Sequence, residues 1–402
     1  MEFAGQKIFR GDRVIWIVLV LLSLLSLLIV YSSTGALAYR QASGNTIKYL
    51  IRQLFFLGAG FGLMLLMVNV IPVKIYSIIA NLLLYVSIAL LMLTVALKFA
   101  GMLQGSGRTL SLGFISFQPA ELAKISLIIF TAKVLGKKQK TKSDLYRAFK
   151  RIIFHTAIVC GLIFISDFST SALLFATIMT MMFIGRIPMK YLFLVVFSGI
   201  ALVGIVYVYA LKFPESSPAR VQTIKARIDR FIFGDPNSEK GITQADYAKL
   251  AIYEGGFVGK GPGHSDVSNY MAAAYNDFIF AIIVEEYGLI IGAGVIFLYL
   301  IFLFRGVVIV RRATRTFPAF LVTGLTLLLV FQAMINIGVS SGALPVTGQP
   351  LPWVSLGGTS MLFTSIAFGC ILSVSHQNQI NREIQKQPVQ VNAPDEDFEM
   401  EK

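Results

Sequence analysis

The chain is 402 residues long, 56% hydrophobic and only 14% charged, with a formal net charge of +14. Together with a mean hydropathy of +0.73, this composition excludes an ordinary soluble domain and is typical of a chain that uses lipid as its solvent. The basic excess does not indicate a nucleic-acid partner, because Lys and Arg accumulate in the cytoplasmic loops of membrane proteins for topological reasons. Cys160 and Cys370 lie far apart in apolar segments and indicate neither disulfides nor a metal cluster. We therefore expect a polytopic membrane protein.

Long apolar stretches predict an all-α fold of about ten transmembrane helices. A helix needs about 20 apolar residues to span the hydrocarbon core. By that criterion the spans are 14–34, 50–71, 75–97, 119–135, 152–166, 169–185, 190–211, 278–304, 317–340 and 358–376. The sequence ISDFSTS at 165–171 interrupts an apolar stretch, so spans five and six could instead form one broken helix. Merging them would place the arginine-rich loop at 305–315 and the C-terminus outside, so we favour ten spans.

Loop charges predict the orientation of these helices. The basic loop 136–151 and the segment GRIPMK at 185–190 belong on the cytoplasmic side, which places both termini there too. One long loop, 212–276 between helices 7 and 8, then lies on the outer face, where its length indicates either function or disorder. It mixes the glycine-rich run GGFVGKGPG with the amphipathic piece ARIDRFIF, which favours function. We divide the chain into a transmembrane domain, 1–376, and a disordered cytoplasmic tail, 377–402, rich in Gln, Asn and acid.

The most informative residue is Asp277, in AYNDFIFAIIVEEYG at 274–288, where the outer loop becomes an apolar helix. A carboxylate at the boundary between water and hydrocarbon is costly and by default marks a functional site. The alternative is an ordinary helix-start acid that caps free N–H groups. Two further acids, Glu285 and Glu286, lie about 12–14 Å deeper on other faces of the helix, so they do not pair with Asp277. They form either a buried hydrogen-bond site or a proton relay.

A second group of polar residues lies in GSGRTLSLGFISFQPAELAK, 105–124, which ends as a helix start. Pro119 suits the first helical position and Glu121 the third. Arg108 and Lys124 are then basic groups on the outer side. Because Lys124 follows Glu121 by one turn, a local ion pair or snorkelling explains both residues. The alternative is an anion site, since an Arg side chain and a helix N-terminus both suit a phosphate.

Two other outer segments contain polar or irregular features. Asp167, between spans five and six, is explained by a hydrated turn without any function. The segment SSGALPVTGQPLPWVSLGGTS, 340–360, combines prolines and glycines on the outer face. Irregular backbone at membrane depth is tolerated only where it is packed in protein or lines a cavity. We therefore expect this segment to form one wall of a pocket.

Three motifs occur in the order SFQPAELAK, NDFIFAIIVEEYG and LPVTGQPLPWVSLGGTS. In this combination the sequence resembles the SEDS family, the FtsW/RodA/SpoVE-type peptidoglycan glycosyltransferases, over nearly the whole chain. The resemblance implies a polymerase that joins lipid II units on the outer face of the cytoplasmic membrane, with Asp277 as the essential carboxylate. It further implies substrate or diphosphate binding by Arg108, Gln118, Glu121, Lys124, Asp167 and Ser355.

The resemblance also implies partners. They are lipid II and the undecaprenyl-linked glycan as substrates, membrane lipids, a single-span class B penicillin-binding protein that supplies transpeptidase activity, and other division proteins. A divalent cation, Mg²⁺ or Mn²⁺, near Asp277 would neutralise a diphosphate, although no ligand cluster in the sequence demonstrates it.

The sequence departs from the family pattern at several positions, and the Pro-Glu pair that the family usually has just upstream of the Asp is replaced within MAAAYN. Tyr275 stands where the family usually has His, Leu356 where it usually has Tyr, and Thr347 where many division-type members have Lys. The piece PVTGQPLP is closer to elongation-type members, whereas RVQTIKARIDRFIFGDP and DRVIW are closer to the division type. We favour a division-type polymerase, with an elongation-type polymerase of the same chemistry as the alternative.

Two further functions fit the composition. A transporter or lipid II flippase would place Glu285, Glu286 and Lys124 along a translocation path, but it would also show paired broken helices in two matching halves. The polar residues here gather instead in one outer loop. A scaffolding protein of the division machinery is the third interpretation. For a polymerase, we expect Asp277 to act as general base on the acceptor 4-hydroxyl in an inverting displacement of undecaprenyl diphosphate.

Overall fold

The computed structural model describes residues 9–33, 46–102, 108–112, 115–137, 141–213, 221–223, 225–226, 228–229, 243–267 and 274–386. These residues form an α-helical protein, as predicted. In chain order the helices are α1 (Arg13–Ser33), α2 (Ile47–Val70), α3 (Val73–Phe99), α4 (Pro119–Leu135), α5 (Lys142–Phe164), α6 (Phe168–Ile184), α7 (Met189–Lys212), α8 (Gln244–Gly255), α9 (Ala274–Asp277), α10 (Ile279–Arg311), α11 (Thr316–Ser340) and α12 (Gly358–Lys386). A short antiparallel hairpin, β1 (Leu110–Leu112) and β2 (Ile115–Phe117), precedes α4. Most of the predicted amphipathic piece, 226–233, lies outside the described residues.

Seven of the described helices are long and apolar enough to cross a membrane, namely α1, α2, α3, α7, α10, α11 and α12. The chain is therefore a multi-pass membrane protein. Three other helices coincide with predicted spans but are shorter or more polar: α4 and α6 have 17 residues each, and α5 begins with a charged turn. The count of ten crossings and the cytoplasmic placement of both termini stay predictions.

The interruption at ISDFSTS separates two helices. Helix α5 ends at Phe164 and α6 begins at Phe168. Between them Asp167 is the N-cap of α6, where its Oδ1 accepts a hydrogen bond from Thr170 N at 3.2 Å. The interruption therefore separates two capped helices, as predicted, and their arrangement as two spans rather than one broken span stays a prediction.

Helix α5 is longer than the predicted span, which began at 152. It starts at Lys142 because Thr141 and Asp144 form a capping box, in which Asp144 N donates to Thr141 Oγ1 at 3.2 Å and Thr141 N donates to Asp144 Oδ2 at 3.2 Å. The Thr141 hydrogen bonds also lower the pKa of the Asp144 carboxyl below its usual value, so this acid stays ionised at neutral pH. A criterion based on apolar residues alone missed this polar first half.

Helix α12 continues to Lys386, so the prediction that disorder begins at 377 is wrong for residues 377–386. Polar side chains hold this end of the helix against the bundle: Asn378 Nδ2 donates to Ile309 O at 3.1 Å and Gln379 Nε2 donates to Gly11 O at 3.0 Å. The side-chain amides of Asn378 and Gln379, which the composition assigned to a solvated tail, therefore bond the end of the helix to the rest of the protein. Residues 387–402 lie outside the described part of the chain.

Trp353 fixes the segment that precedes α12 to the bundle. Its side chain is 2% exposed, and its Nε1 donates to Ser23 Oγ at 2.7 Å and to Leu19 O at 3.2 Å, both on α1. The indole also packs edge-on against Phe61 of α2, with 5.5 Å between ring centroids. A buried Trp with a paired N–H combines a large apolar contact with a directional bond.

Gly60 of α2 faces this indole closely. A Cβ at that position would lie 2.9 Å from the Trp353 ring and would also collide with Ser365 Oγ. We expect Gly60→Ala to cost about 1–3 kcal/mol through overpacking and to lower the Tm of the purified protein. Gly58→Ala, in the same helix, is the matched control, since a Cβ there meets nothing within 4 Å. Equal Tm values for the two variants would contradict this packing.

Candidate functional site

Segment 345–355, which is predicted to lie on the outer side, is held by buried side chains that bond to its backbone. Three carbonyls accept hydrogen bonds: Gln349 O from Asn336 Nδ2 at 2.8 Å, Pro350 O from Gln332 Nε2 at 3.0 Å, and Pro352 O from the Tyr299 hydroxyl. These donors lie on α10 and α11 and are at most 5% exposed. The irregular backbone is thus packed in protein, which is the condition for its presence at membrane depth.

Asp277 lies at the predicted junction, as the last residue of α9. Its backbone carbonyl accepts a hydrogen bond from Asn336 Nδ2 at 2.9 Å, and the preceding carbonyl, of Asn276, accepts one from Ser355 Oγ at 2.8 Å. The half-buried carboxylate faces Gly348, where a Cβ would lie 3.5 Å from Asp277 Oδ2. Asp277 directly precedes Phe278, the N-cap residue of α10, so it lies at the start of that helix, as predicted.

Arg108 and Asp167 form a partly buried ion pair beside this segment. Arg108 Nη1 lies 3.0 Å from Asp167 Oδ2, and Arg108 Nε donates to Ser166 O at 3.0 Å. Asp167 is only 5% exposed, so its interpretation as a hydrated turn acid is wrong. The carboxylate is instead satisfied by the guanidinium and by the first turn of α6. With Gln118, the pair borders a cavity of about 10 Å³, roughly the space that one water needs.

Lys124 and Glu121 form the local ion pair that their spacing predicts. Lys124 Nζ lies 2.8 Å from Glu121 Oε1 and 3.5 Å from Gln332 Oε1. Lys124 is 1% exposed, so it does not snorkel to the interface. A buried ammonium is tolerated because it is paired and hydrogen-bonded.

These groups belong to one hydrogen-bond network whose centre is the 345–355 segment. Gln349 connects it to the Arg108 pair, because Gln349 Nε2 donates to Thr170 Oγ1 at 2.8 Å and Thr170 N donates to Asp167. Gln332 connects Pro350 to Lys124. Asn336 connects Gln349 to the carbonyl of Asp277. The structure thus brings together the predicted residues Arg108, Glu121, Lys124, Asp167, Ser355 and Asp277. Gln118, the N-cap of α4, borders the network at the cavity beside Arg108.

Sequence reasoning missed Gln332 and Asn336, the two amides of α11 on which this network depends. They stand four residues apart in LLLVFQAMINIGV and therefore share one helix face. Two amides at that spacing in an apolar helix are a signal of a buried polar contact. Asn336 Oδ1 accepts no hydrogen bond from the described residues and is a further polar atom next to Asp277. The side chain of Tyr275 lies outside the described residues.

Glu285, deeper in α10, is a buried hydrogen-bond site. Its side chain is fully buried, and its carboxylate accepts from Ser265 Oγ at 2.5 Å, from Asp266 N at 3.0 Å and from Val267 N at 3.4 Å. Lys260 Nζ lies 3.5 Å from the same carboxylate. Of the two interpretations of the paired acids, this one describes Glu285. Glu286 accepts a hydrogen bond from Ser32 Oγ of α1.

The glycine-rich run 255–263 forms backbone hydrogen bonds with α10 where that helix is broken. At Gly288 the backbone turns to φ 81° and ψ 170°, so the helical bonds to Glu285 O and Glu286 O are lost. Lys260 N and Gly261 N donate to those two carbonyls at 2.9 Å each, and Leu289 N and Ile290 N donate to the carbonyls of 256 and 257 at 2.9 and 3.4 Å. The loop therefore replaces two missing helical hydrogen bonds with four of its own. This close approach requires residues without a Cβ.

Lys260 fills the acidic cluster beside this loop. Among the described residues, Glu254, Asp266 and Glu285 are the carboxylates close enough together to hold a metal ion. Lys260 Nζ contacts all three, at 3.0 Å for Asp266 and 3.5 Å for Glu285. Glu254, and then Asp266, raise the pKa of the Lys260 ammonium above its usual range. The ammonium thus occupies the position that a cation would take.

We expect Glu285→Ala to release residues 256–267 from α10, because two backbone N–H groups and the Ser265 hydroxyl lose their acceptor. Hydrogen exchange in 256–267 should become at least tenfold faster. Glu254→Ala is the matched control: Glu254 also contacts Lys260, but its side chain is 33% exposed, and exposed ion pairs contribute little. Unchanged exchange in Glu285→Ala would show that the loop is held by other contacts.

We expect Asn336→Leu to destabilise the protein, because the carbonyls of Asp277 and Gln349 would lose a buried donor. Each unsatisfied acceptor costs about 1–3 kcal/mol, which a Tm measurement in detergent detects. Asn69→Leu, at an exposed position of α2, should stay within about 0.5 kcal/mol of the parent. A Tm for Asn336→Leu as high as that of the control would contradict this role of Asn336.

Most of the chain is similar to known proteins. The profile of the FtsW/RodA/SpoVE family, described as a cell cycle protein, matches residues 12–380. The probable peptidoglycan glycosyltransferase FtsW of Coxiella burnetii is 31% identical over 376 residues, which cover 90% of this chain and 96% of that protein. Stage V sporulation protein E of Bacillus subtilis is 31% identical over 377 residues, covering 92% and 98%.

Two solved structures have a similar fold. One is a chain of a peptidoglycan synthase complex, described for its structural coordination of polymerization and crosslinking, with a TM-score of 0.70 and 23% identity over 92% of this chain and 98% of that one. The other is the rod shape determining protein RodA of Thermus thermophilus, with a TM-score of 0.62 and 22% identity over 92% and 97%. At these identities the likeness concerns the fold alone.

Proposed function

We propose that this chain, which belongs to the FtsW/RodA/SpoVE family of cell cycle proteins, polymerises lipid II into glycan strands and releases undecaprenyl diphosphate. The observation that carries the proposal is the position of Asp277, a half-buried carboxylate at the outer end of α10 whose own carbonyl is bound by Asn336. Relatives that match about nine-tenths of the chain are named probable peptidoglycan glycosyltransferases, which supports the same chemistry here.

Asp277 acts as the general base in this reaction. The acceptor sugar 4-hydroxyl attacks the anomeric carbon of the lipid-linked chain while the Asp277 carboxylate takes the hydroxyl proton. The bond from the anomeric carbon to the diphosphate breaks, and undecaprenyl diphosphate leaves with the bonding electrons. A diphosphate is already a good leaving group, so it needs no paired acid of the kind that glycosidases use. Glu285 accepts hydrogen bonds from the 256–267 loop and so does not serve as a second catalytic carboxylate. This fits an inverting reaction with a single base.

The six proposed binding residues fall into two groups, those that contact the substrate directly and those that support the site. Arg108 and Gln118 are partly exposed, and we assign them direct contact with diphosphate oxygens, which suit the Arg fork. Their shared cavity of about 10 Å³ is too small for a diphosphate, so binding requires Arg108 to turn from Asp167 towards the substrate. The other members, Glu121, Lys124, Asp167 and Ser355, support the site through the bonds described above.

A divalent cation, Mg²⁺ or Mn²⁺, at Asp277 stays part of the proposal. Within the described residues, Asp277 belongs to no group of three or more ligand side chains. Mg²⁺ is often held by one or two carboxylates together with substrate phosphates, so Asp277 fits an ion that is shared with the diphosphate. Such an ion would neutralise diphosphate charge.

We further propose a location in the cytoplasmic, or inner, membrane, with residues 212–276 on the outer face and a class B penicillin-binding protein and other division proteins as partners. The similar chain from a peptidoglycan synthase complex supports a crosslinking partner. Relatives named FtsW favour a role in division. The likeness to RodA supports the alternative of an elongation-type polymerase with the same chemistry.

We expect Asp277→Asn to fold but to polymerise lipid II at least about 100-fold more slowly, as for loss of a general base. The measurement is glycan chain formation by purified protein with lipid II, with and without the transpeptidase partner. Asp266→Asn is the control, because this carboxylate is 79% exposed and lies in the predicted outer loop that precedes Asp277. Polymerisation at the parental rate by Asp277→Asn would remove Asp277 from the mechanism. Transport of labelled lipid II without polymer by the parent protein would favour the flippase.

A further inference from the structure

We propose that a groove along α5, on the predicted cytoplasmic side, binds one anionic phospholipid of the inner leaflet. The groove has a volume of about 1010 Å³ and lies between α5 and the end of α4. It is far from Asp277 in the fold, because α5 begins on the side of the bundle opposite to the outer junction. The polymerase chemistry proposed above does not use it.

The groove follows one face of α5 from a basic end to an apolar end. Arg147, Lys150, Arg151, Phe154 and Ala157 line it, and their spacing of three or four residues places them in one stripe. Arg147 and Ala157 are about 15 Å apart along the axis, which is about half the thickness of the hydrocarbon core. The basic end precedes the predicted span and the apolar end lies within it. This order matches a molecule with an anionic head and a hydrocarbon chain.

The basic end carries an excess of positive charge. Lys137, Arg147, Lys150 and Arg151 line it together with one carboxylate, Asp144, which lies 2.6 Å from Arg147 Nη2. The Arg147 side chain is 75% exposed, so it keeps donors directed to the outside of that pair. Basic pockets between transmembrane helices on the cytoplasmic side suit phosphate head groups.

The apolar end is shaped to receive a chain. Phe154 is 63% exposed and lines this end together with the partly buried Ile153. Val134 and Ala148, both buried, line the groove nearer its basic end. The His155 ring closes the groove against α4, with 4.5 Å between its centroid and that of Phe130. The small side chain of Ala157 leaves the groove open towards the hydrocarbon. Contact with an acyl chain covers this exposed apolar surface, and burying apolar area is favourable.

The two ends together favour a lipid over the acidic C-terminal tail. Residues 387–402 include Asp395, Glu396 and Asp397, which are complementary to the basic end. The apolar side chains of that segment are scattered among polar ones, whereas a phospholipid has one continuous hydrocarbon chain for the other end. The charge of the head group, rather than the chain, then determines which lipid binds.

The test is a titration of the purified full-length protein with phosphatidylglycerol and with phosphatidylcholine of the same chains, followed by native mass spectrometry. We expect one phosphatidylglycerol to bind at least tenfold more tightly than phosphatidylcholine. The triple variant R147Q/K150Q/R151Q should lose this preference. The matched control R13Q/K74Q/R382Q removes the same charge from exposed positions elsewhere on the predicted cytoplasmic face and should keep it. Equal loss in both variants, or equal affinity for both lipids in the parent, overturns the proposal.

A second variant tests the apolar end without changing charge. Ala157 is exposed, so Ala157→Phe should fold, fill the groove and weaken phosphatidylglycerol at least fivefold. Displacement of the lipid by glycerol phosphate at similar concentration would show that the head group alone binds, and would contradict a chain in the groove. Tighter lipid binding by the full-length variant D395N/E396Q/D397N would identify the tail as the occupant and would also overturn the proposal.

Discussion

An irregular stretch of backbone inside an apolar bundle must find a partner for its polar groups, because no bulk water is there to replace one. Segment 345–355 meets this requirement through two amides of α11 and through hydroxyls of α10 and α1, which donate to its carbonyls. The ion pairs of Arg108 and Lys124 and the backbone of Asp277 are attached to the same segment. The positions of these groups therefore depend on one set of satisfied carbonyls.

The backbone at Asp277 is fixed by this arrangement, because Asn336 and Ser355 bind the carbonyls of Asp277 and Asn276. Farther along the same helix, the loop from α8 replaces the helical hydrogen bonds lost at Gly288 and is anchored by Glu285. A catalytic carboxylate benefits from such fixation, because a general base must meet its proton at hydrogen-bond distance. The carboxylate itself is left half-buried, so it is not enclosed by the bundle.

Much of this architecture follows from the sequence, for identifiable reasons. The apolar runs predicted where the long helices lie because a spanning helix needs a minimum length of hydrocarbon-compatible residues. The position of Asp277 was predicted from the cost of a carboxylate at an apolar boundary. The Lys124 pair was predicted because one helical turn fixes its geometry.

Other features could not be predicted because they depend on contacts distant in sequence. Asp167 is buried because Arg108, 59 positions earlier, reaches it. The role of Glu285 depends on a loop about 20 residues upstream. The amides Gln332 and Asn336 had a visible spacing, yet their partners became identifiable only in the folded chain. Capping by Thr141 and the long polar end of α12 were missed because an apolar-run criterion does not count polar helix ends.

The most direct test of the central claim is the distance from an Asp277 carboxylate oxygen to the acceptor 4-hydroxyl in a structure of the protein with lipid II or an unreactive analogue bound. If Asp277 is the general base, this distance is about 2.6–3.2 Å, or one water bridges the two groups. The anomeric carbon of the donor then lies on the far side of that hydroxyl. An acceptor hydroxyl bound to another carboxylate, such as Glu121, with Asp277 beyond the reach of one water, would contradict the account.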